Sequence, residues 1–307
     1  MKKDTRALIG QLLEQQEKII PRVPPVDPDY RKDTSIKALV FDIYGTLLLS
    51  SWAEGTDWKV IPKNLKTAFD YNSIKLVSQN KKSTEKMLME ILSVLREKIT
   101  SYYTKQKSVD VPFPEMNLVK IWEQTFIYAR EKRWLEYPND IRFHDFTLTF
   151  ELLNNRAYPM PGMKEVIQRL SVKNLPLGII SNAQFYTPRV MNYFLSGNYK
   201  ETDKVDCFDP DLTVFSYQLM RGKPDITLFE KLVPVLKNKY SLTPEQVAYV
   251  GNDMKKDVYT ARKAGFRTIL FAGDKNSVRW RKNDPLIDEL KPDFIITELK
   301  QLLHIVK

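Results

Sequence analysis

Apolar positions along the chain fall into distinct regimes. Near the N-terminus, Leu8 pairs with Leu12 and Ile9 with Leu13, each four apart, which predicts one apolar stripe on a short helix within residues 4–20. Pro21, Pro24, Pro25 and Pro28 follow and force an extended linker. The stretch from Lys37 to Leu47 then sets a short apolar, β-branched run against a terminal carboxylate, Asp42, and breaks at Gly45. Such a run predicts a strand buried in a parallel sheet that delivers Asp42 to the carboxyl edge, where open α/β sheets bind their ligands.

From residue 48 to about residue 156 glycine nearly vanishes and helical spacing takes over. Met87, Leu88, Ile91, Leu92 and Leu95 form one stripe, and Leu118, Ile121, Trp122 and Phe126 approximate another. Phe146, Phe150 and Leu153 mark a third helix. Aromatic residues at this spacing are read as packing. Trp52 and Trp58, on the entry segment, suit either a pocket wall or a core.

Tyr158 to Gly162 punctuates a return to the first regime. A helix over Met163–Val172 leads to a strand through Leu177, Ile179 and Ile180 that ends at Ser181 and Asn182. A helix with Pro188 in its first turn, a short strand at Thr213–Ser216 and a helix through Leu228 and Leu232 come next. The strand Val247–Val250 ends at Gly251, Asn252 and Asp253 and feeds a helix from about Asp257 to Lys263. Thr268–Phe271 and Phe294–Ile296 supply two more strands. Alternating strands and helices predict an α/β fold with a doubly wound parallel sheet. The expected organisation is an N-terminal helical arm and Pro-rich linker over 1–35, an α/β core over 36–47 and 157–307, and a helical cap over 48–156. The arm is expected to pack on the body or to support a homodimer.

At 307 residues the chain is long enough for two domains and a core without covalent staples, and the single Cys207 excludes an internal disulfide framework. No continuous apolar segment resembles a signal peptide or a membrane span, so a soluble, cytoplasmic protein without a membrane partner is expected. The net charge of +10 is uneven: nine basic residues between Lys255 and Lys282 face only Asp257 and Asp274. Such a surplus can attract an anionic substrate or nucleic acid, but a solvated helix face followed by a basic loop is the favoured account. No basic groove interleaved with aromatics is present, which argues against nucleic acid. His144 and His304 have no metal-ligand partner at useful spacing.

Four strand ends or adjoining loops therefore present Asp42, Ser181 with Asn182, Lys223, and Asn252–Asp253 with Asp257. Taken one by one, Asp42 suits a strand-end cap of the next turn, Ser181 and Asn182 a helix cap, Lys223 before Pro224 a surface turn, and Asp253 and Asp257 a helix N-terminus. Taken together and in this order, they resemble the haloacid dehalogenase-like (HAD) superfamily of hydrolases. Phe41 to Leu47 is similar to its first motif, Ile180–Asn182 to the second, Gly222–Pro224 to the third, and Val250–Asp253 with Asp257 to the fourth. The resemblance covers residues 36–47 and about 160–300, and the helical insertion sits where that superfamily places a cap.

The resemblance implies a nucleophile at Asp42 that forms a covalent intermediate, with Tyr44 and Lys223 as catalytic neighbours. It implies a phosphate site at Thr46, Ser181, Asn182 and Lys223. It also implies Mg²⁺ on Asp42, the backbone carbonyl of Tyr44, and Asp253, with Asn252 and Asp257 in support. A small anionic substrate is the expected partner, with its selectivity set in the insertion.

Two features depart from that pattern. The phosphatases carry a second Asp two residues after the nucleophile, and here that position is Tyr44, a poor base at neutral pH. Tyr at this place resembles the 2-haloacid dehalogenases, whose halide leaves without a proton. Those enzymes need no metal, however, and lack a paired-carboxylate fourth motif like Asp253 and Asp257. The expectations are, in order, a Mg²⁺-dependent phosphatase of a small phosphorylated metabolite, a metal-independent 2-haloacid dehalogenase, and a non-catalytic binding protein on the same fold.

Overall fold

The computed structural model describes residues 5–54, 60–77 and 83–306. Trp58 and the side chain of Trp52 lie outside the described residues. The chain separates into two compact units, Met1–Glu17 with Gly55–Arg156, and Lys18–Glu54 with Ala157–Lys307.

The second unit is built on six strands: β1 (Ala38–Phe41), β2 (Leu177–Ser181), β3 (Thr213–Phe215), β4 (Val247–Gly251), β5 (Arg267–Phe271) and β6 (Phe294–Ile296). Their order is β6-β5-β4-β1-β2-β3, and every pairing is parallel. Leu39 stands opposite Leu177 on one side and Ala248 on the other. All residues of β1, β2 and β4 are buried, because helices cover both faces; this is why they read as unbroken apolar runs. The chain winds outward from β1 to β3 and then from β4 to β6, so the order reverses between β1 and β4. The crevice at the carboxyl ends of that pair is the topological switch point.

Leu48–Ser50 pairs antiparallel with Ala157–Pro159. That ladder ties the two ends of the insertion within the sheet unit, which moves the start of the helical unit from the expected residue 48 to Gly55. The expected arm is likewise divided. The proline-rich stretch joins the sheet unit, where Asp29 exchanges both backbone hydrogen bonds with Ile295, at 2.9 and 2.8 Å. Proline lacks an N–H, so the stretch adds one bridge at the edge and not a seventh strand.

The helical unit takes the N-terminal helix, α1 (Thr5–Glu14), which buries Ile9 and Leu13 and packs against α5 (Phe143–Asn154). Between them lie α2 (Ile61–Tyr71), α3 (Thr84–Gln106) and α4 (Leu118–Glu131). Ser83 and Asn117 cap α3 and α4 by accepting the N–H groups of Lys86 and Lys120. The predicted stripes meet in an aromatic core. The rings of Trp122 and Phe146 lie 4.9 Å apart at 82°, and those of Phe126 and Phe146 lie 4.6 Å apart. Among the described residues no helix is long and apolar enough to cross a membrane.

Candidate active site

Asp42 leaves β1 at the switch point, its N–H donating to Val250 O at 2.9 Å. Lys223, carried by the loop after β3, reaches under it. Its ammonium lies 2.9 Å from Asp42 Oδ1, 2.6 Å from Asp257 Oδ1 and 2.8 Å from Tyr249 Oη. Tyr249 in turn donates to Ile180 O at 2.7 Å. The side chain of Asn182 holds the Lys223 backbone from both sides: Oδ1 accepts its N–H at 2.6 Å and Nδ2 donates to its carbonyl at 3.1 Å. Burial works against the charge on Lys223, but Asp257 and Asp42 outweigh it and hold the ammonium above its ordinary range.

The segment after β4 does not open directly into the predicted α-helix. Val258 N–H donates to Asp253 O five residues back, so Met254–Tyr259 form a wide π-type turn before the α-helix at Thr260–Lys263. The turn folds Asp257 back beneath Gly251, where a Cβ would stand 2.4 Å from the Asp257 carboxyl carbon. Only glycine fits there. Asp257 Oδ2 accepts the Asp253 N–H at 2.9 Å. Burial pushes the Asp257 carboxyl up, to about 6, with Asp42 and Asp253 adding to the rise against Lys223. One ammonium shared between Asp42 and Asp257 does not offset the cost of burying both carboxylates.

Asp253 caps the π-type turn, Oδ1 accepting from Lys255 N–H at 2.9 Å and Lys256 N–H at 3.0 Å. Arg281 grips the same carboxylate as a fork, Nη2 to Oδ2 at 2.6 Å and Nε to Oδ1 at 3.2 Å. Burial opposes the charge on Asp253, but the Arg281 fork and the two helix N–H groups outweigh it and hold the carboxyl below its usual range. Asn252 serves the scaffold: its Nδ2 donates to Ser277 O at 2.7 Å and its Oδ1 accepts from Thr46 Oγ1 at 3.2 Å. Gly45, at φ +85°, lies against that amide, and a Cβ there would meet Nδ2 at 2.4 Å.

These elements enclose a cavity of about 290 Å³ within the sheet unit, lined by Asp42, Tyr44, Asn182, Lys223, Asn252, Asp253 and Asp257 together with Lys256, Arg279 and Arg281. Seven of the nine singled-out residues therefore meet at one place. The other two, Thr46 and Ser181, do not line the cavity. Thr46 is spent on Asn252, and the Ser181 hydroxyl is buried without a hydrogen-bond partner among the described residues. Tyr44 shares a hydrogen bond with Thr187 Oγ1 at 3.1 Å.

Sequence reasoning missed Tyr249 and the two arginines. Tyr249 was concealed in an apolar strand. Arg279 and Arg281 belong to the basic surplus, where the solvated-face account proves too simple. Lys255, Arg262 and Arg267 of that run do pair with surface carboxylates.

The donor set does not fit Mg²⁺ as arranged. A hard cation needs free carboxylate oxygens, and both oxygens of Asp253 are engaged by the Arg281 guanidinium, while one oxygen of Asp42 is held by Lys223. Among the described residues no cluster of three His, Cys, Asp or Glu side chains is arranged to hold a metal ion.

Comparison with known proteins agrees with this architecture. The structure of a 2-haloacid dehalogenase from Pseudomonas syringae pv. Tomato DC3000 superposes with a TM-score of 0.52 at 19% identity, over 87% of this chain and 96% of that one. A predicted phosphoglycolate phosphatase from Haemophilus somnus 129pt matches at a TM-score of 0.46 and 17% identity, over 89% and 99% of the two chains. A glyceraldehyde 3-phosphate phosphatase from Pyrococcus furiosus is 25% identical over 156 residues, 48% of this chain and 54% of that protein, so the match spans about half the length of that curated relative. Residues 36–265 match the family model of haloacid dehalogenase-like hydrolases, and the chain belongs to that family.

Proposed function

We propose that this hydrolase transfers a phosphoryl group from a small anionic substrate to Asp42 and then to water. The observation that carries the reading is the Asp42 carboxylate at the floor of a cation-lined cavity, one oxygen held 2.9 Å from Lys223 and the other with no protein hydrogen bond among the described residues. That second oxygen attacks phosphorus, the bond to the leaving oxygen breaks, and an aspartyl phosphate forms. Water then attacks phosphorus, releases inorganic phosphate and regenerates the carboxylate. Lys223 orients Asp42 and offsets the charge that accumulates as two anions approach. The Pyrococcus furiosus relative, a glyceraldehyde 3-phosphate phosphatase by name, supports a phosphate ester as substrate.

Tyr44 replaces the acid that would protonate a poor leaving group, so acyl and aryl phosphates are the expected substrates and alkyl phosphates the slow ones. The same tyrosine, together with the guanidinium on Asp253, favours a second reading in which Asp42 displaces halide from a 2-haloacid. One experiment separates the two. Intact-mass measurement after incubation with p-nitrophenyl phosphate or with 2-chloropropionate reports either a phosphoryl or a carboxyalkyl adduct, mapped to Asp42. No adduct with either reagent, and no product, overturns both.

A further inference from the structure

The segment after β5 brings two arginines to the cavity, and its backbone is docked. Arg279 N–H donates to Asn252 O at 2.8 Å, Met254 N–H donates to Arg279 O at 2.9 Å, and Asn252 Nδ2 donates to Ser277 O at 2.7 Å. Asp253 and Arg279 thereby form a parallel bridge, which fixes where both guanidinium groups start from.

The two arginines have different neighbours. Arg281 is consumed by its fork on Asp253. Among the described residues the guanidinium of Arg279 donates only to carbonyl oxygens, those of Asn276 at 2.5 Å and Val278 at 3.4 Å, both through Nη1. Among the described residues no carboxylate pairs with it, and none pairs with Lys256 on the same cavity wall. The three acids of the site are thus already held by Lys223 and Arg281. Arg279 keeps most of its five donors and its full charge half-buried at the cavity. A planar fork held by backbone carbonyls suits a carboxylate or phosphate, the groups that guanidinium binds with two parallel hydrogen bonds.

We propose that Arg279 binds a second anionic group of the substrate, a carboxylate or a second phosphate, remote from the atom that Asp42 attacks. Arg281 is a positioning residue in this scheme: it neutralises Asp253, which would otherwise repel that group. The inference rests on the hydrolase reading for the first anion and deepens it to a substrate class, small molecules with two anionic ends.

Equilibrium binding tests this without turnover. Isothermal titration calorimetry compares methylphosphonate, with one anionic group, against phosphonoacetate, which adds a carboxylate, and methylenebisphosphonate, which adds a second phosphonate. The wild-type protein is expected to bind at least one of the two-ended ligands tighter by about tenfold or more, and the tighter one identifies the second group. Arg279→Ala should erase that preference and leave methylphosphonate affinity unchanged, while Arg279→Lys, which keeps charge but not the fork, should retain part of it. Equal wild-type affinity for all three ligands overturns the proposal. So does an Arg279→Ala protein that weakens all three alike, since that is the signature of a structural role. A wild-type protein that shows the preference yet hydrolyses no phosphate ester supports the anion site and overturns the phosphatase reading alone.

Discussion

The helical unit and the carboxyl edge of the sheet each hold a dense buried cluster, and the two clusters are of opposite chemistry. In the helical unit the buried groups are aromatic: Trp122, Phe126 and Phe146 are almost wholly enclosed, and the indole N–H of Trp122 has no hydrogen-bond partner among the described residues. At the sheet edge the buried groups are charged: Lys223 is 4% exposed, Asp257 0% and Asp253 6%, and each is held by two or more hydrogen bonds or ion pairs. An unpaired indole among rings loses one modest interaction, whereas an unpaired buried charge is far more expensive. Large side chains at helical spacing thus record packing, and a paired ionic network at strand ends records chemistry.

The sharpest way to break that contrast is Asp42→Asn. It removes the proposed nucleophile and, on the phosphatase reading, should cost more than about 10⁴-fold in turnover of an aryl or acyl phosphate. Lys223 keeps Asp257 as its partner, so the thermal midpoint should hardly move. An active Asp42→Asn protein would dissolve the distinction between the two regions.

Trp122→Ala should do the reverse. Removing a fully buried indole from a ring of phenylalanines costs about 3–5 kcal/mol of stability, readable by urea unfolding of the whole chain. A small loss there would mean that the aromatic stripe does not carry the helical core.

Arg281→Gln sharpens the comparison within the site. If the guanidinium stands where a cation is otherwise required, its loss frees Asp253 and should raise the affinity for Mg²⁺ by about tenfold or more, as measured by calorimetry. Equal Mg²⁺ affinities in wild type and variant would show that Arg281 does not compete for that carboxylate.

The smallest effect concerns pH. The folded-state pKa of Asp253 is lowered, so its contribution to stability is present above the unfolded value, 3.8, and is lost as pH falls through the lower folded value. With Arg281 38% exposed, solvent screening limits the pair to about 0.5–1 kcal/mol. The stability gap between wild type and Arg281→Gln should therefore be open at neutral pH and close in acid below that window. Asp257 runs the other way: its raised pKa favours the folded state at low pH, and that contribution is lost as pH rises through about 6. A gap that widens in acid would contradict the Asp253–Arg281 pairing.

Much of this architecture was legible from the chain because the relevant signals are local. An apolar, β-branched run ending in Asp42 and broken at Gly45 reads as a strand delivering a carboxylate, and Leu88, Ile91, Leu92 and Leu95 at helical spacing demand a buried face. The strand ends that carry Asn182 and Asp253 were found for the same reason. Arg279 and Arg281 were not, because seven other basic residues in the same run surround them and nothing local separates a surface lysine from a guanidinium aimed at a carboxylate. Nor does any local signal assign α1 to the helical unit and the prolines after it to the sheet unit.

By itself, then, the sequence determined the strand and helix alternation, the split into a helical and an α/β region, and the group of carboxylates at the strand ends. These follow from backbone periodicity and from the cost of exposing apolar runs. Tertiary structure alone decided which charges meet. It set Lys223 between Asp42 and Asp257, folded Asp257 under Gly251, and placed Arg281 on Asp253. Each pairing joins residues at least 28 positions apart or depends on a turn whose width no local pattern encodes, and the energy of a charge is set by its spatial neighbours, not by its neighbours along the chain.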